Sequence, residues 1–452
     1  MLTQAANGDS RLSFWLRVRE FAVPPSMIET ATARRSAGDW AGACAAARVD
    51  VDVHPRSVAR AHGRELADRV RSDLRNLAPD LLRWHMPRIA PDGLLRPGVT
   101  LTLARYDTSR PRGPVHLVAR TPPAWADAGQ RISLALWDGT DTGPHPHPRP
   151  DRRFRLDLHR HLWDARRAGE LRIRSGADLP DPAGADPELR ESVPRGFRCA
   201  MARWAAEAGI LLRAEGRGGE TVAVRFGARR HLFLDLLDGI ALRVAPPPAN
   251  GDAGAVPVLP DAATWVLPDM ELLRTGSIDA DRLHPLVASA LVPGHVPTGP
   301  AEPPDTAGRP RFVECQGARH RIGLVDGVLV PLDHDPAEIR REELLVALTG
   351  TPLPCLQAID EAHRRPDCLS GVRERLVHGD TAGALAVVEG LLGTDATLRN
   401  GALRDELEAA AQRRIAYGLF RAGLAEPPTG HDRPGVRRPR DHRPRPRLAT
   451  AR

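Results

Sequence analysis

Over residues 11 to about 90 the apolar positions recur at steps of three or four. Leu66, Val70, Leu74, Leu77 and Leu81 mark one helical face. Pro79 should break or bend that run, because a proline inside a helix lacks an amide donor and clashes with the preceding turn. Met27 to Ala47 reads as helix, tight turn, helix. Gly38 suits the left-handed position that ends one helix, and Asp39 suits the cap that starts the next.

From about Pro97 the period changes to two. Val99–Tyr106, Pro114–Thr121 and Arg131–Gly139 read as strands separated by turn residues. Pro144–Pro150 (PHPHPRP) reads as a stiff connection, and Arg153–Trp163 (RFRLDLHRHLW) returns to strand alternation. A helix is expected from Phe197 to Leu212, with Phe197, Met201, Trp204, Ala208 and Leu211 on one face. Val222–Ala245 and Arg311–Asp333 share an order: strand, Gly-Ala-Arg, strand, Asp-Gly turn, strand. Asp238-Gly239 and Asp326-Gly327 are hairpin signals, because the two-residue turn needs positive φ at both central positions. Pro336–Leu424 returns to helices, the last with Leu403, Leu407, Ala411, Ile415 and Leu419 at steps of four.

The expected fold is therefore α+β, with helical hairpins at both ends flanking antiparallel meander and hairpin units. The pattern divides the chain into a helical region 1–96, an α+β region 97–250 and a Pro/Gly-rich linker with short helices, 251–310. A β-hairpin unit 311–335, a helical region 336–424 and a tail 425–452 follow. The tail is Pro/Arg-rich and lacks a core-forming pattern, so disorder is expected there.

Charge changes the picture once it is mapped. The net +7 suggests a nucleic-acid binder, but residues 431–452 hold eight arginines against two aspartates, leaving the rest near +1. A folded basic face is not implied, and nucleic acid is an expected partner through the tail only. The chain contains no lysine, so every basic residue is arginine. That excludes Schiff-base chemistry on lysine and the phosphate lysine of standard P-loop enzymes. No apolar run reaches the roughly 20 residues of a membrane span, no secretory signal opens the chain, and a cytoplasmic location is expected. The five cysteines, Cys44, Cys199, Cys315, Cys355 and Cys368, are odd in number and widely spaced, which reads as buried thiols and argues against a zinc ribbon or finger. No cofactor is expected.

The most metal-like run is Asp157, His159 and His161. On a strand these three share a face, and imidazole with carboxylate suits zinc or iron. The competing reading is the exposed polar face of a half-buried strand. Asp50, Asp52 and His54 follow the same grammar, and the two runs would form one site if they met. Asp335, between a strand and a helix, reads as a helix cap.

A last pattern occurs twice. Gly38–Ala45 and Gly379–Ala386 both read Gly-Asp-x-Ala-Gly-Ala-x-Ala. A nucleophile elbow would need a reactive residue at the third position, and Trp40 in the first copy cannot attack anything. The pattern reads as a helix-turn-helix packing signature. No catalytic site assembles from the sequence, so the expected function is a non-catalytic interaction or adaptor scaffold with another protein as partner. The alternatives are a metal-dependent hydrolase built on Asp157, His159 and His161, and nucleic-acid association through the tail.

Overall fold

The computed structural model describes residues 8–425 apart from 109–112, 141–143, 180–186, 217–219, 229, 249–255, 297–310, 316 and 350–351. The expected disordered tail, beyond residue 425, and residues 251–255 and 297–310 of the expected Pro/Gly linker lie outside the described residues.

The fold is α+β, as the two periodicities imply. Helices α1 (Gly8–Phe21), α2 (Pro25–Ser36) and α3 (Trp40–Ala46) open the chain. Gly38 takes φ +79° between α2 and α3, and the Asp39 carboxylate accepts the Gly42 amide at 2.8 Å. Strand β1 (Val49–Val51) leads to α4 (Pro55–His62), α5 (Arg64–Asn76) and α6 (Pro79–His85). Leu66, Val70, Leu74, Leu77 and Leu81 are all buried. Pro79 opens α6 as a separate helix, the one helical position where a missing amide costs nothing.

After a short hairpin of β2 (Arg88–Ile89) and β3 (Leu94–Leu95), the predicted meander appears as β4 (Thr100–Tyr106), β5 (Val115–Arg120) and β6 (Ile132–Trp137). The sheet order is β1-β6-β5-β4. β1 adds parallel to β6, a pairing across more than eighty residues that no local pattern announces.

Arg153–Trp163 does not form the expected strand. It touches the β4 edge once, where Arg155 bridges Thr102. Its amides then go to carbonyls three residues back: Leu158 to Arg155, His159 to Leu156, Leu162 to His159 and Trp163 to Arg160. Consecutive turns and a 3-10 helix at Arg160–Leu162 result. The apolar and polar positions both turn inward: Phe154 and Leu156 are 5% exposed, yet His159 is 2% and His161 5% exposed. The expected solvated histidine face is absent.

Short helices α7 (Leu171–Ser175) and α8 (Pro187–Ser192) precede α9 (Met201–Glu215), whose Trp204, Ala208 and Leu211 are buried. A meander of β7 (Thr221–Arg225), β8 (His231–Leu237) and β9 (Ala241–Ala245) packs on α9. Helices α10 (Asp261–Thr264), α11 (Pro268–Arg274) and α12 (Pro285–Leu291) follow, and Met270, Leu272, Val287 and Leu291 return to the core shared with α1, α5 and the first sheet. The second meander is β10 (Arg311–Cys315), β11 (Ala318–Val325) and β12 (Val328–Pro331). Both Asp-Gly pairs have positive φ, +49° and +74° at 238–239 and +50° and +76° at 326–327. The two units differ at Gly-Ala-Arg. In the first, Gly227 and Ala228 lie between strands, whereas in the second Ala318 and Arg319 already belong to β11.

Helices α13 (Pro336–Thr349), α14 (Pro354–Arg364), α15 (Leu369–Val377), α16 (Thr381–Leu392) and α17 (Ala402–Arg421) complete the described chain. In α17 the buried residues are Leu403, Ala410, Tyr417 and Phe420, while Ile415 is 55% and Leu419 43% exposed. A step of four advances about 400° on a helix of 3.6 residues per turn. A stripe kept at that step therefore winds off the buried face, and a step of seven stays on it. No described helix is long and apolar enough to cross a membrane.

The second Gly-Asp turn matches the first. Gly379 has φ +84°, and Asp380 accepts the Gly383 amide at 3.1 Å. The two copies also meet. Arg48, just past α3, donates to the His378 carbonyl at 3.0 Å and pairs with Asp380 at 3.2 Å. A β-carbon on Gly379 would sit 2.2 Å from the Gly129 carbonyl oxygen, whereas one on Gly38 would meet nothing within 4 Å. Gly379→Ala should therefore cost at least about 2 kcal/mol through clash and strain together, and Gly38→Ala about 1 kcal/mol through strain alone. Chemical denaturation of both variants measures the difference, and equal costs would contradict the close approach.

Candidate metal centre

The positions singled out from the sequence are dispersed. Asp157 spends both carboxylate oxygens on Arg155, at 2.9 and 2.8 Å. The His159 and His161 rings lie 5.8 Å apart. His159 Nδ1 faces Arg174 at 3.2 Å, and its Nε2 lies 3.7 Å from Glu207, a carboxylate already clamped by Arg174. Burial first, and then neighbouring positive and imidazole groups, hold both histidines well below their ordinary range, so both stay neutral. Asp50 binds Arg131 and Tyr417, and Asp52 binds Arg421. His54 precedes α4 as its cap residue. β1 and the Arg155 bridge lie on opposite edges of one sheet, four strand spacings or about 19 Å apart. The two Asp/His runs do not converge. Asp335 does cap α13, accepting the Ala337 amide at 2.8 Å.

The donor set that does converge among the described residues is Cys315, His334 and Cys355, with one atom from each lying within 4.8 Å of the others. Three different elements deliver it. Cys315 is the last residue of β10, paired with Ala318 across a tight turn in which Gly317 takes φ +77°. His334 follows β12 and precedes the Asp335 cap. Cys355 is the second residue of α14, whose Pro354 opens the helix. α14 packs against all three strands of the β10–β12 sheet, which carries its N-terminus to the strand ends.

All three groups are buried: Cys315 is 1%, Cys355 0% and His334 8% exposed. Burial, followed by hydrogen bonding to Cys315, pushes the Cys355 thiol up to about 12. His334 Nδ1 lies 3.6 Å from Glu338 one helical turn on, and its Nε2 is buried without a partner. A carboxylate on one ring nitrogen fixes the tautomer and leaves the other lone pair for a metal. A further imidazole adjoins the set. His320, on the same face of the β10–β11 hairpin as Cys315, stacks on His334 with centroids 4.2 Å apart, and its Nδ1 is buried and unpartnered.

Two thiolates with imidazole select zinc over hard cations. Tetrahedral zinc with bonds of about 2.0–2.3 Å places its ligands roughly 3.5–3.8 Å apart, a small contraction from the present spacing. Three protein donors leave one tetrahedral position open, but the burial of all three suits a structural ion. The sequence spacing pointed away from zinc because rules of the Cys-x-x-Cys kind describe ligands on one turn. Here the ligands are nineteen and twenty-one residues apart and come from three elements. The available signal was subtler: each ligand sits at the boundary of an element within one short module.

Protein expressed with zinc should carry about one equivalent per chain. Cys355→Ser should abolish retention and lower stability by about 3 kcal/mol or more, while Cys368→Ser, outside the donor set, should retain the metal. Elemental analysis with thermal melts reads both, and equal metal content in the two variants would contradict the assignment. Comparison with protein-family models, with curated proteins and with solved structures finds no match to this chain, so the site stands on its own geometry.

Proposed function

We propose that the protein is a non-catalytic interaction scaffold, and that the β10–β12 sheet, pinned by the metal centre, is its docking face for an apolar surface of another protein. One observation carries this reading: the outer face of the sheet exposes large apolar side chains among Glu314, Arg319 and Arg321. Its inner face holds Cys315 and Ile322, 1% and 2% exposed. Its outer face holds Phe312, Val325 and Val328, 51%, 45% and 44% exposed, and the strand register places these three on one side. An antiparallel sheet with one wet face normally alternates apolar-in and polar-out. Large apolar side chains exposed at both ends of that face depart from the rule and mark an interaction surface.

The chemistry of the neighbouring site agrees. The sulfur and imidazole donors are all buried, which favours a supporting role for the ion over chemistry on a substrate. Arg319 lies over the Phe312 ring at 4.5 Å, giving the patch an amphipathic anchor of the kind enriched in interface cores.

Phe312→Asp combined with Val328→Asp alters only exposed positions, so fold and metal content should stay unchanged. Used as bait beside the wild type, this variant should lose, by tenfold or more, the protein that the wild type retains. The same protein retained equally by both baits would contradict the proposal, as would no retained protein with metal-loaded wild-type bait.

A further inference from the structure

Between the first sheet and the α9 core lies a cavity of about 240 Å³, floored by Thr102 of β4, His116 of β5 and Trp137 of β6. Arg105, Arg149, Arg152 and Arg155 line it, together with Glu215 at the end of α9. We infer that this cavity binds a diphosphate group, free or as the end of a nucleoside diphosphate.

The first observation is the charge balance. Arg155 is fully occupied, by Asp157 through two hydrogen bonds and by Glu215 through a third. Arg105 pairs only with Asp107, whose side chain is 84% exposed, and such a pair is weak in water. Arg149 forms no ion pair among the described residues. The wall therefore keeps surplus positive charge, although the chain outside its tail is close to neutral. Guanidinium groups match phosphate oxygens with paired, planar donors.

The second observation is independent of charge. Thr102 Oγ1, Trp137 Nε1 and His116 Nδ1 are buried and have no partner. Thr102 as a whole is 0% exposed. A buried polar group left unpaired is costly, so such groups mark a missing partner. All three residues line the same cavity, with these atoms just behind its surface. An indole N–H can only donate, guanidiniums can only donate, and a threonine hydroxyl can donate. Burial holds His116 near 4, so its ring is neutral and presents either a donor or an acceptor at Nδ1. Pro114, Pro150, Leu211, Pro257 and Val258 make the apolar part of the wall, and its polar part, Glu215 apart, can donate and so fits a ligand made almost wholly of acceptors. Phosphate oxygens meet that condition, and a sugar or an amine does not. The cavity has room for far more than one bridging water, which favours two phosphates over one. Its position between two cores is a common place for a small-molecule site.

Calorimetric titration with inorganic pyrophosphate tests the assignment. Pyrophosphate should bind one per chain, more weakly as salt rises. Arg105→Ala with Arg149→Ala, both at exposed side chains, should weaken it at least tenfold and flatten the salt dependence. Trp137→Phe, which removes the N–H and keeps a ring, should weaken it severalfold, as should Thr102→Val. A parallel titration with ADP separates the sources: equal affinity identifies the diphosphate alone as the ligand, and tighter binding lost in the arginine variant identifies a nucleoside diphosphate. No binding of either probe, or binding of both unchanged in the arginine and tryptophan variants, would overturn the proposal.

Discussion

A guanidinium taken fully out of water needs an acceptor at each of its nitrogens, and the Arg83 side chain ties distant segments together by that requirement. Arg83 is 0% exposed and has no carboxylate partner. It donates instead to three carbonyls, of Ala22 at 2.9 Å, of Gln130, and of His378 at 3.3 Å. Burial, and then the neighbouring Arg48, Arg88 and Arg131, hold it well below the usual arginine range. Those carbonyls belong to the α1–α2 loop, to the approach to β6 and to the second Gly-Asp turn. One side chain therefore ties together segments that are far apart in sequence. The His378 carbonyl also receives Arg48, and the bare backbone at Gly379 lets the turn lie against Gly129. Small residues and buried donors work together: the glycine admits the approach, and the arginines penalise any separation.

The C-terminal module inherits its position from that junction but not its stability. Its core is small, drawn from residues such as Val372, Leu376, Ala384, Leu392 and Leu403, and α13 has no fully buried residue among those described. A module with little apolar burial gains more from a cross-link than a large core does. Cys315, His334 and Cys355 lie where the strand ends meet the start of α14. The exposed side of the same sheet is then free to carry apolar residues that the other described residues leave open.

How much of this was legible in the sequence depended on the range of each interaction. The α5 face, the β4–β6 meander, the two Asp-Gly turns and the caps at Asp39, Asp335 and Asp380 are local, and each residue type states its own reason. The parallel pairing of β1 with β6 is not local, and neither is the meeting of Arg48 with Asp380. The Arg153–Trp163 run misled because its alternation came from turns that bury both faces, a pattern that period two cannot separate from a strand. The α17 stripe misled because steps of four drift around a helix. The metal set was hidden because its ligands belong to three elements brought together by packing. The arginine cavity was hidden because a net charge near zero conceals a local surplus.

X-ray absorption at the zinc edge of the metal-loaded protein tests the central claim most directly. The account predicts a first shell with two sulfurs at about 2.3 Å and nitrogen at about 2.0 Å, and no retained zinc signal in Cys315→Ser. A first shell of oxygen and nitrogen alone, or a spectrum unchanged by that substitution, would contradict it.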